Sequence, residues 1–289
     1  MLTNSEIHIR DPFVVADAIA QRYYLYGTTG PDARAGQPPG FDVYIGSDLH
    51  HWDGPYPAFR PAPDFWSDRN FWAPEVHEYC GRYYMFASFK AEGVCRGTQI
   101  LVADSLKGPY KLHSERPVTP AGWECLDGTL FVDAAGLPWI VFCHEWVQVR
   151  DGEICAMPLT ADLRSAAGEV ATLFRATEAP WIIPFSGPDG FVTDGPFLYH
   201  AADGTLLMLW SSFSKGGYTL GVARSLSGHI TGPWQQDADP LYQDDGGHGM
   251  LFRTFDGRLM LSVHSPNKNH LERPVFAPVR DEAGRLSIG

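Results

Sequence analysis

Three aspartates stand at the start of short apolar segments that lie far apart in the chain. Asp11 begins Asp-Pro-Phe-Val-Val, Asp127 begins Asp-Gly-Thr-Leu-Phe and Asp194 begins Asp-Gly-Pro-Phe-Leu. Aspartate is seldom buried in a core without a partner, so three at matching places indicate chemistry rather than packing. Gathered in one site, such carboxyl groups can act as general acid and general base. Turn capping explains one of them more easily than all three.

The segments that begin with these aspartates belong to a fivefold repeat of about sixty residues. Each repeat has an apolar strand, a turn that contains glycine in four of the five repeats, a second strand and a third apolar stretch. The residues at the start of the five repeats are Asp11, Trp72, Asp127, Asp194 and His248. The pattern predicts an all-β protein, a five-bladed β-propeller that forms a single domain over residues 1–289.

The first strand of each propeller blade lines the central channel, so the side chains that open these strands are expected to meet at one mouth. Carboxyl groups in such a depression suit hydrolysis of a glycosidic bond, which needs one protonated carboxyl group and one ionised carboxylate. A third carboxylate nearby raises the pKa of the acid. The residues predicted to bind substrate are Trp72, Glu75, Trp146, Phe213 and Arg253.

The composition argues against several other classes of protein. Lys+Arg total 22 against 34 Asp+Glu, and this net charge of −12 disfavours a nucleic-acid binder. No apolar run reaches the roughly 18 residues of a membrane span. The first residues show no secretory pattern and the five cysteines have no CxxC spacing, so we expect a cytoplasmic protein with free thiols.

In these segments the chain resembles glycoside hydrolase family 43, and the resemblance covers nearly the whole sequence. The matching motifs are Arg10-Asp11-Pro12-Phe13, Phe71-Trp72-Ala73-Pro74-Glu75-Val76, Leu126-Asp127-Gly128, Asp194-Gly195-Pro196-Phe197 and Gly247-His248-Gly249. The resemblance implies a five-bladed propeller that cleaves arabinofuranosides, xylosides and related galactosides with inversion.

The resemblance also implies a role for each residue of the motifs. Asp11 corresponds to the general base that holds the attacking water, and Asp127 to the carboxylate that orients the acid and raises its pKa. Asp194 falls where the family has its general acid, and His248 where an imidazole faces a cation, commonly calcium, or a water. A lone histidine is a poor calcium ligand and would contact the ion mainly through waters. No organic cofactor is expected.

One departure from the family concerns the acid, which is usually Glu in a Glu-Gly-Pro motif. Asp194 is shorter by one methylene, and positional errors of about 1 Å can cost around a hundredfold in rate. Three interpretations follow: Asp194 is still the acid, Glu145 of Cys143-His144-Glu145-Trp146 has taken its place, or the site only binds sugar. We favour Asp194 because its alignment is direct.

The leading hypothesis is an inverting, exo-acting glycoside hydrolase that releases a terminal pentose, with α-L-arabinofuranose favoured, from an oligosaccharide substrate. Long loops at 28–40, 62–71 and 177–193, which would close off a cleft, are the basis for exo action. The alternatives are a β-xylosidase, an exo-galactosidase or an arabinanase of the same fold, a non-catalytic sugar-binding propeller, and a protein-interaction propeller. The sequence leaves the sugar and the linkage open.

Overall fold

Five antiparallel sheets follow one another along the chain, one for each repeat, in a computed structural model that describes residues 1–289. Blade I contains β2 (Arg10–Asp17), β3 (Arg22–Thr28), β4 (Phe41–Gly46) and β5 (His51–Phe59), with β1 (Leu2–Thr3) paired to β5 at the outer edge. Blade II contains β6 (Arg69–Tyr79), β7 (Arg82–Ala91), β8 (Val94–Ala103) and β9 (Lys111–Leu112).

The other three blades repeat this order of strands. Blade III contains β10 (Cys125–Val132), β11 (Pro138–His144), β12 (Glu153–Pro158) and β13 (Ala171–Arg175). Blade IV contains β14 (Asp194–His200), β15 (Leu206–Ser214), β16 (Gly217–Ser225) and β17 (Trp234–Gln236). Blade V contains β18 (Gly247–Arg253), β19 (Leu259–Ser265), β20 (Arg273–Glu282) and β21 (Arg285–Ile288). The predicted five-bladed β-propeller is confirmed.

Helical structure is confined to short segments. One α-helix, α1 (Trp146–Val149), follows β11, and two 3₁₀ turns lie at Asn4–Glu6 and Ala176–Glu178. None of these helices has the length and apolar character needed to cross a bilayer.

The hydrophobic core is divided into layers between neighbouring blades. Successive side chains of a strand point to opposite faces of its sheet, so each blade can bury both faces against its two neighbours. Between blades III and IV, for example, Val141 and Phe174 pack in one cluster with Trp210 and Met208. This two-sided burial explains why the middle strands are continuous apolar runs, as in Leu206–Trp210, rather than alternating ones.

The ring closes where blade V meets blade I. Ile7 and Ile9, from the segment before β2, are fully buried in a cluster that also contains Phe252 of blade V. The Arg273 guanidinium donates a hydrogen bond to the Ser5 carbonyl, with a distance of 2.7 Å between Nε and O. Closure therefore rests on packing and hydrogen bonds of the N-terminal segment rather than on a strand exchanged between the two blades.

A β-bulge interrupts the first strand of every blade at the same position. The bulged pairs are Asp11–Pro12, Ala73–Pro74, Asp127–Gly128, Gly195–Pro196 and His248–Gly249. The first residue of each pair has a left-handed backbone, with φ of 53°, 46°, 55°, 50° and 49° in chain order. The sequence alignment of the five repeats was therefore wrong by one residue in two blades. Trp72 and Asp194, which were aligned with Asp11, precede the bulge, and Ala73 and Gly195 occupy it.

Hydrogen bonds from these bulges connect each blade to the one before it. The N–H of Ala73 donates to Thr28 Oγ1 at 2.9 Å, that of Asp127 to Ser88 Oγ at 2.9 Å and that of His248 to Ser211 Oγ at 2.8 Å. The N–H of Asp11 donates to His264 Nδ1 at 3.1 Å, which completes the contact between blades V and I.

Blade IV departs from this arrangement. Cys143 stands at the position where the other blades offer Thr, Ser or His, and sulfur is a weak acceptor. The Gly195 N–H donates instead to Asp127 Oδ2 at 3.0 Å. The carboxylate of Asp127, the bulge residue of the preceding blade, thus replaces the missing acceptor.

We predict that Ser88→Ala destabilises the fold, because it leaves the Asp127 N–H buried without an acceptor. Ser88 is fully buried, and an unsatisfied buried donor costs about 1–3 kcal/mol. Urea unfolding should show this loss, whereas Ser287→Ala on the exposed last strand should change the free energy of unfolding by less than about 0.5 kcal/mol. Equal effects of the two substitutions would contradict the role given to Ser88.

Candidate active site

A pocket of about 470 Å³ lies where the first strands of the blades begin. It brings together most of the residues singled out from the sequence. Those that line it are Asp11, Trp72, Asp127, Glu145, Trp146, Asp194, Phe213 and His248.

Two predicted substrate-binding residues do not line this pocket. Glu75 is 4% exposed and its carboxylate lies 3.2 Å from His77 Nε2, two residues further along β6. Arg253 is at the end of β18, where its guanidinium donates to the Gly257 carbonyl in the following turn. Arg253 is separated from the pocket by the length of β18 that follows the bulge. Glu75 comes directly after the bulged pair of β6, and its charge is one of the causes that raise the pKa of Asp127.

Asp11 is held in a setting that favours the ionised carboxylate. Thr28 donates to Asp11 Oδ2 at 2.6 Å, and His248 Nδ1 lies 3.2 Å from Oδ1. Burial acts to raise the pKa of Asp11, but the charges of His248 and Arg10 and the Thr28 hydrogen bond outweigh it, so the pKa is lowered. An ionised carboxylate in the pocket can accept a proton.

His264 is a neutral imidazole that accepts a hydrogen bond from the Asp11 backbone. Burial lowers the pKa of His264 to about 4. Its Nδ1 accepts the Asp11 N–H, so we assign the proton to Nε2, which lies 3.1 Å from Asn267 Oδ1.

Asp127 lies between the other two aspartates and is almost fully buried. Its Oδ2 accepts the Gly195 N–H at 3.0 Å and is 3.6 Å from His248 Nδ1. Burial, and then the charge of Asp11, raise the pKa of Asp127 well above its usual value. Through Gly195, Asp127 fixes the backbone next to Asp194.

Asp194 has the opposite protonation tendency from Asp11. Burial, followed by the charge of Asp127, raises the pKa of Asp194 to about 7. The Tyr218 hydroxyl donates to Asp194 Oδ2 at 3.0 Å and acts against that rise. A carboxyl group that is still protonated near neutral pH can donate a proton, and two titratable groups with pKa values displaced in opposite directions identify an acid and a base.

Glu145, the alternative acid, is engaged with another residue. Its carboxylate forms an ion pair with Arg96, whose guanidinium lies 4.5 Å from the Trp72 ring centroid. Trp72 Nε1 in turn donates to Asp32 Oδ2 at 2.6 Å. Burial raises the pKa of Glu145 and Arg96 opposes the rise. Because the ion pair with the Arg96 guanidinium favours the ionised form of this carboxylate, the contacts favour a positioning role for Glu145 over proton donation.

The surroundings of His248 bear on the predicted cation. Its Nδ1 faces Asp11 and Asp127, and its Nε2 is buried without a hydrogen-bond partner. No group of three or more His, Cys, Asp or Glu side chains in the chain is arranged to hold a metal ion. A cation at Nε2 would thus have one imidazole ligand and waters, without the set of carboxylate ligands that holds calcium in most protein sites. The metal role of His248 stays a prediction.

Several pocket residues were not identified from the sequence. Tyr218 is the second residue of β16, the third strand of blade IV, and its place near the start of a strand was the signal that the sequence offered. Asp32 and Phe185 also line the pocket, but they lie in irregular segments where the sequence offered no signal of function. Glu272, 1% exposed, has no hydrogen-bond partner for either carboxylate oxygen and lies 3.6 Å from Arg10 Nη1.

We predict that Tyr218→Phe raises the pKa of Asp194 further, because it removes a hydrogen bond that stabilises the carboxylate. Carbon-13 NMR titration of labelled aspartate should place the wild-type Asp194 transition near pH 7 and the variant transition at higher pH. Tyr83→Phe, at a half-buried position on β7 outside the pocket, should leave the transition unchanged. A shift to lower pH in Tyr218→Phe would contradict the assigned donor.

Comparison with known proteins supports the family expected from the motifs. The sequence model of "Glycosyl hydrolases family 43" matches residues 5–281. Among solved structures, an endo-arabinase from Bacteroides thetaiotaomicron superposes with a TM-score of 0.91 at 45% sequence identity, covering 99% of each chain.

Two curated relatives match at lower identity. One is an extracellular exo-α-(1→5)-L-arabinofuranosidase of Cellvibrio japonicus, 21% identical over 93% of this chain and 82% of the relative. The other is an extracellular endo-α-(1→5)-L-arabinanase of Bacillus subtilis, 23% identical over 83% of this chain and 71% of the relative.

These relatives correct the expected location. The cytoplasmic prediction rested on the first residues of the chain and on cysteine spacing, and it is wrong, since both curated relatives are extracellular. Neither feature reports on location, because a few unpaired thiols buried in a core, such as Cys125 and Cys143, are compatible with either compartment.

Proposed function

The chain belongs to the glycosyl hydrolases of family 43, and from that membership we propose that it hydrolyses α-L-arabinofuranosyl bonds of arabino-oligosaccharides with inversion. It is a glycosidase that acts on oligosaccharides. The arabinose specificity is supported by the names of the two curated relatives and of the 45% identical structure. A β-xyloside or galactoside substrate is the alternative within the same fold.

The observation that carries the mechanism is that Asp11 and Asp194 line one pocket in opposite settings. Asp11 lies beside His248 and accepts the Thr28 hydroxyl, which lowers its pKa, whereas burial and Asp127 raise the pKa of Asp194. In the proposed reaction Asp11 accepts a proton from a water molecule, whose oxygen attacks the anomeric carbon. Asp194 donates its proton to the glycosidic oxygen as the bond to the anomeric carbon breaks. The products are a sugar of inverted configuration and the shortened oligosaccharide.

Asp127 acts on this reaction through the acid. Repulsion between the two carboxylates disfavours their being ionised together and so raises the pKa of Asp194, and the hydrogen bond from the Gly195 N–H to Asp127 fixes the neighbouring backbone. The Tyr218 hydroxyl holds one oxygen of Asp194, which leaves the other for the leaving group. These contacts support Asp194 as the acid even though its side chain is shorter than the usual glutamate.

Exo action remains our preferred mode, with endo action as a second candidate. Asp32 of the 28–40 loop and Phe185 of the 177–193 loop both line the pocket, which supports walls that restrict access. The name of the 45% identical structure, an endo-arabinase, favours the alternative. Arabinohexaose labelled at its reducing end separates the two, because exo action releases arabinose and labelled pentaose first, whereas endo action releases internal fragments first.

We predict that Asp11→Asn lowers kcat on arabino-oligosaccharides by about 10²–10⁴-fold, the usual contribution of a general base. Circular dichroism should show an unchanged fold, and Asp104→Asn, at an exposed aspartate, should keep wild-type activity. An Asp11→Asn variant with normal kcat would remove Asp11 as the base.

We predict that Asp194→Asn is inactive on arabino-oligosaccharides but active on an aryl arabinofuranoside with an acidic phenol, because that leaving group needs no proton. Glu145→Gln should lose activity on both substrates to the same extent, since it alters positioning through Arg96. Selective rescue of Glu145→Gln instead would make Glu145 the acid.

The pH dependence follows from the same two groups. Asp194 must be protonated, so kcat/KM should fall as pH rises through about 7, and Tyr218→Phe should move this limb to higher pH. Asp11 must be ionised and its pKa is lowered, so the acid limb should lie below the usual aspartate range. An alkaline limb that Tyr218→Phe leaves in place would argue against Asp194.

A further inference from the structure

A hairpin between blades III and IV presents an aromatic side chain at the pocket. Phe185 is 54% exposed, which is high for a phenyl ring, and it lines the pocket together with Trp146 and Phe213. Neither catalytic carboxylate contacts it, so the reaction described above does not use it. An exposed aromatic face inside a polar pocket suits the C–H surface of a sugar ring.

The hairpin that contains Phe185 is held at several points. The Phe185 N–H donates to the Gly190 carbonyl at 2.8 Å, and an ion pair joins Arg150, just after α1, to Asp189. At Gly190 a Cβ atom would lie only 3.1 Å from Cε3 of Trp146, so the hairpin packs directly on that ring. The position of Phe185 is therefore defined by its neighbours although its ring is exposed.

A continuous series of aromatic contacts connects Phe185 to the general acid. Its ring stacks on Phe213 with 4.5 Å between centroids, and Phe213 contacts Tyr218 at 5.2 Å. Tyr218 is the residue whose hydroxyl donates to Asp194. The Phe185 surface thus reaches the acid through Phe213 and Tyr218, and the Tyr218 ring also stacks on His264, the partner of Asp11, at 5.4 Å between centroids.

The base is held by different blades from the acid. Asp11 belongs to blade I, and its partners Thr28, His248 and His264 are in blades I and V. The hairpin and the acid belong to the region of blades III and IV. In an inverting reaction the acid protonates the leaving oxygen while the base activates water on the opposite face of the sugar.

We propose that Phe185 is a substrate-positioning residue that stacks against the leaving-group sugar, the ring on the acid's side of the scissile bond. This inference rests on the proposed function. It assigns the two ends of the bound oligosaccharide: the sugar that is attacked lies at Asp11 and Arg10, and the sugar that leaves lies over Phe185, beside Trp146.

The test compares a substrate that has a leaving-group sugar with one that has none. For Phe185→Ala, kcat/KM on α-1,5-linked arabinotriose should fall about tenfold, in keeping with one lost stacking contact. On α-L-arabinofuranosyl fluoride, whose leaving group is fluoride, kcat/KM should stay within about twofold. Phe185→Tyr should restore arabinotriose hydrolysis, and Phe185→Leu, which keeps apolar area without a flat ring, should only partly do so.

The control is Val147→Ala, which truncates a 51% exposed apolar side chain on α1 that does not line the pocket. It should leave both substrates unaffected. Equal losses of Phe185→Ala on the two substrates, or none on either, would overturn the inference. If the wild-type protein cleaves arabinohexaose but not arabinotriose, the comparison uses arabinohexaose. A wild-type protein inactive on both would overturn the proposed sugar instead, and the same comparison would then use the oligosaccharide and glycosyl fluoride of the sugar that it cleaves.

Discussion

The site depends on the left-handed bulge that opens the first strand of each blade. Four of the five bulge residues are not glycine, and a left-handed backbone costs a non-glycine residue on the order of 1–3 kcal/mol. The neighbouring blade offsets this cost, since a side chain of its second strand accepts the N–H of the bulge residue in four of the five blades. The catalytic geometry is therefore a property of the closed ring and not of any one blade.

The bulge also explains why a buried polar cluster is tolerated. Asp11, Asp127 and His248 occupy bulge positions in three different blades, yet His248 Nδ1 lies 3.2 Å from one carboxylate and 3.6 Å from the other. The His248 imidazole therefore bridges the two carboxylates. These ion-pair contacts hold the polar side chains in place, while the five apolar layers between the blades supply the stability of the fold.

Different partners give chemically similar carboxyl groups different roles. Asp11 has cationic neighbours and a hydroxyl donor, whereas Asp194 has a carboxylate neighbour and a single tyrosine donor. Glu145 has the longer side chain, but it is paired with Arg96. The substitution of aspartate for the family's glutamate is thus accompanied by a setting that still favours a protonated group at position 194.

The sequence alone determined the strands, the fivefold repeat and the three aspartates, because strand periodicity and apolar patterning are local properties. The tertiary structure decided what depends on distant residues. A bulge inserts one residue that periodicity does not reveal, so the phase of Trp72 and Asp194 was misjudged, and Glu75 and Arg253 were placed at a pocket they do not line. Protonation and the Phe185 surface were likewise decided by the fold, since burial and neighbouring charges come from blades that lie far apart in the chain and meet only when the ring closes.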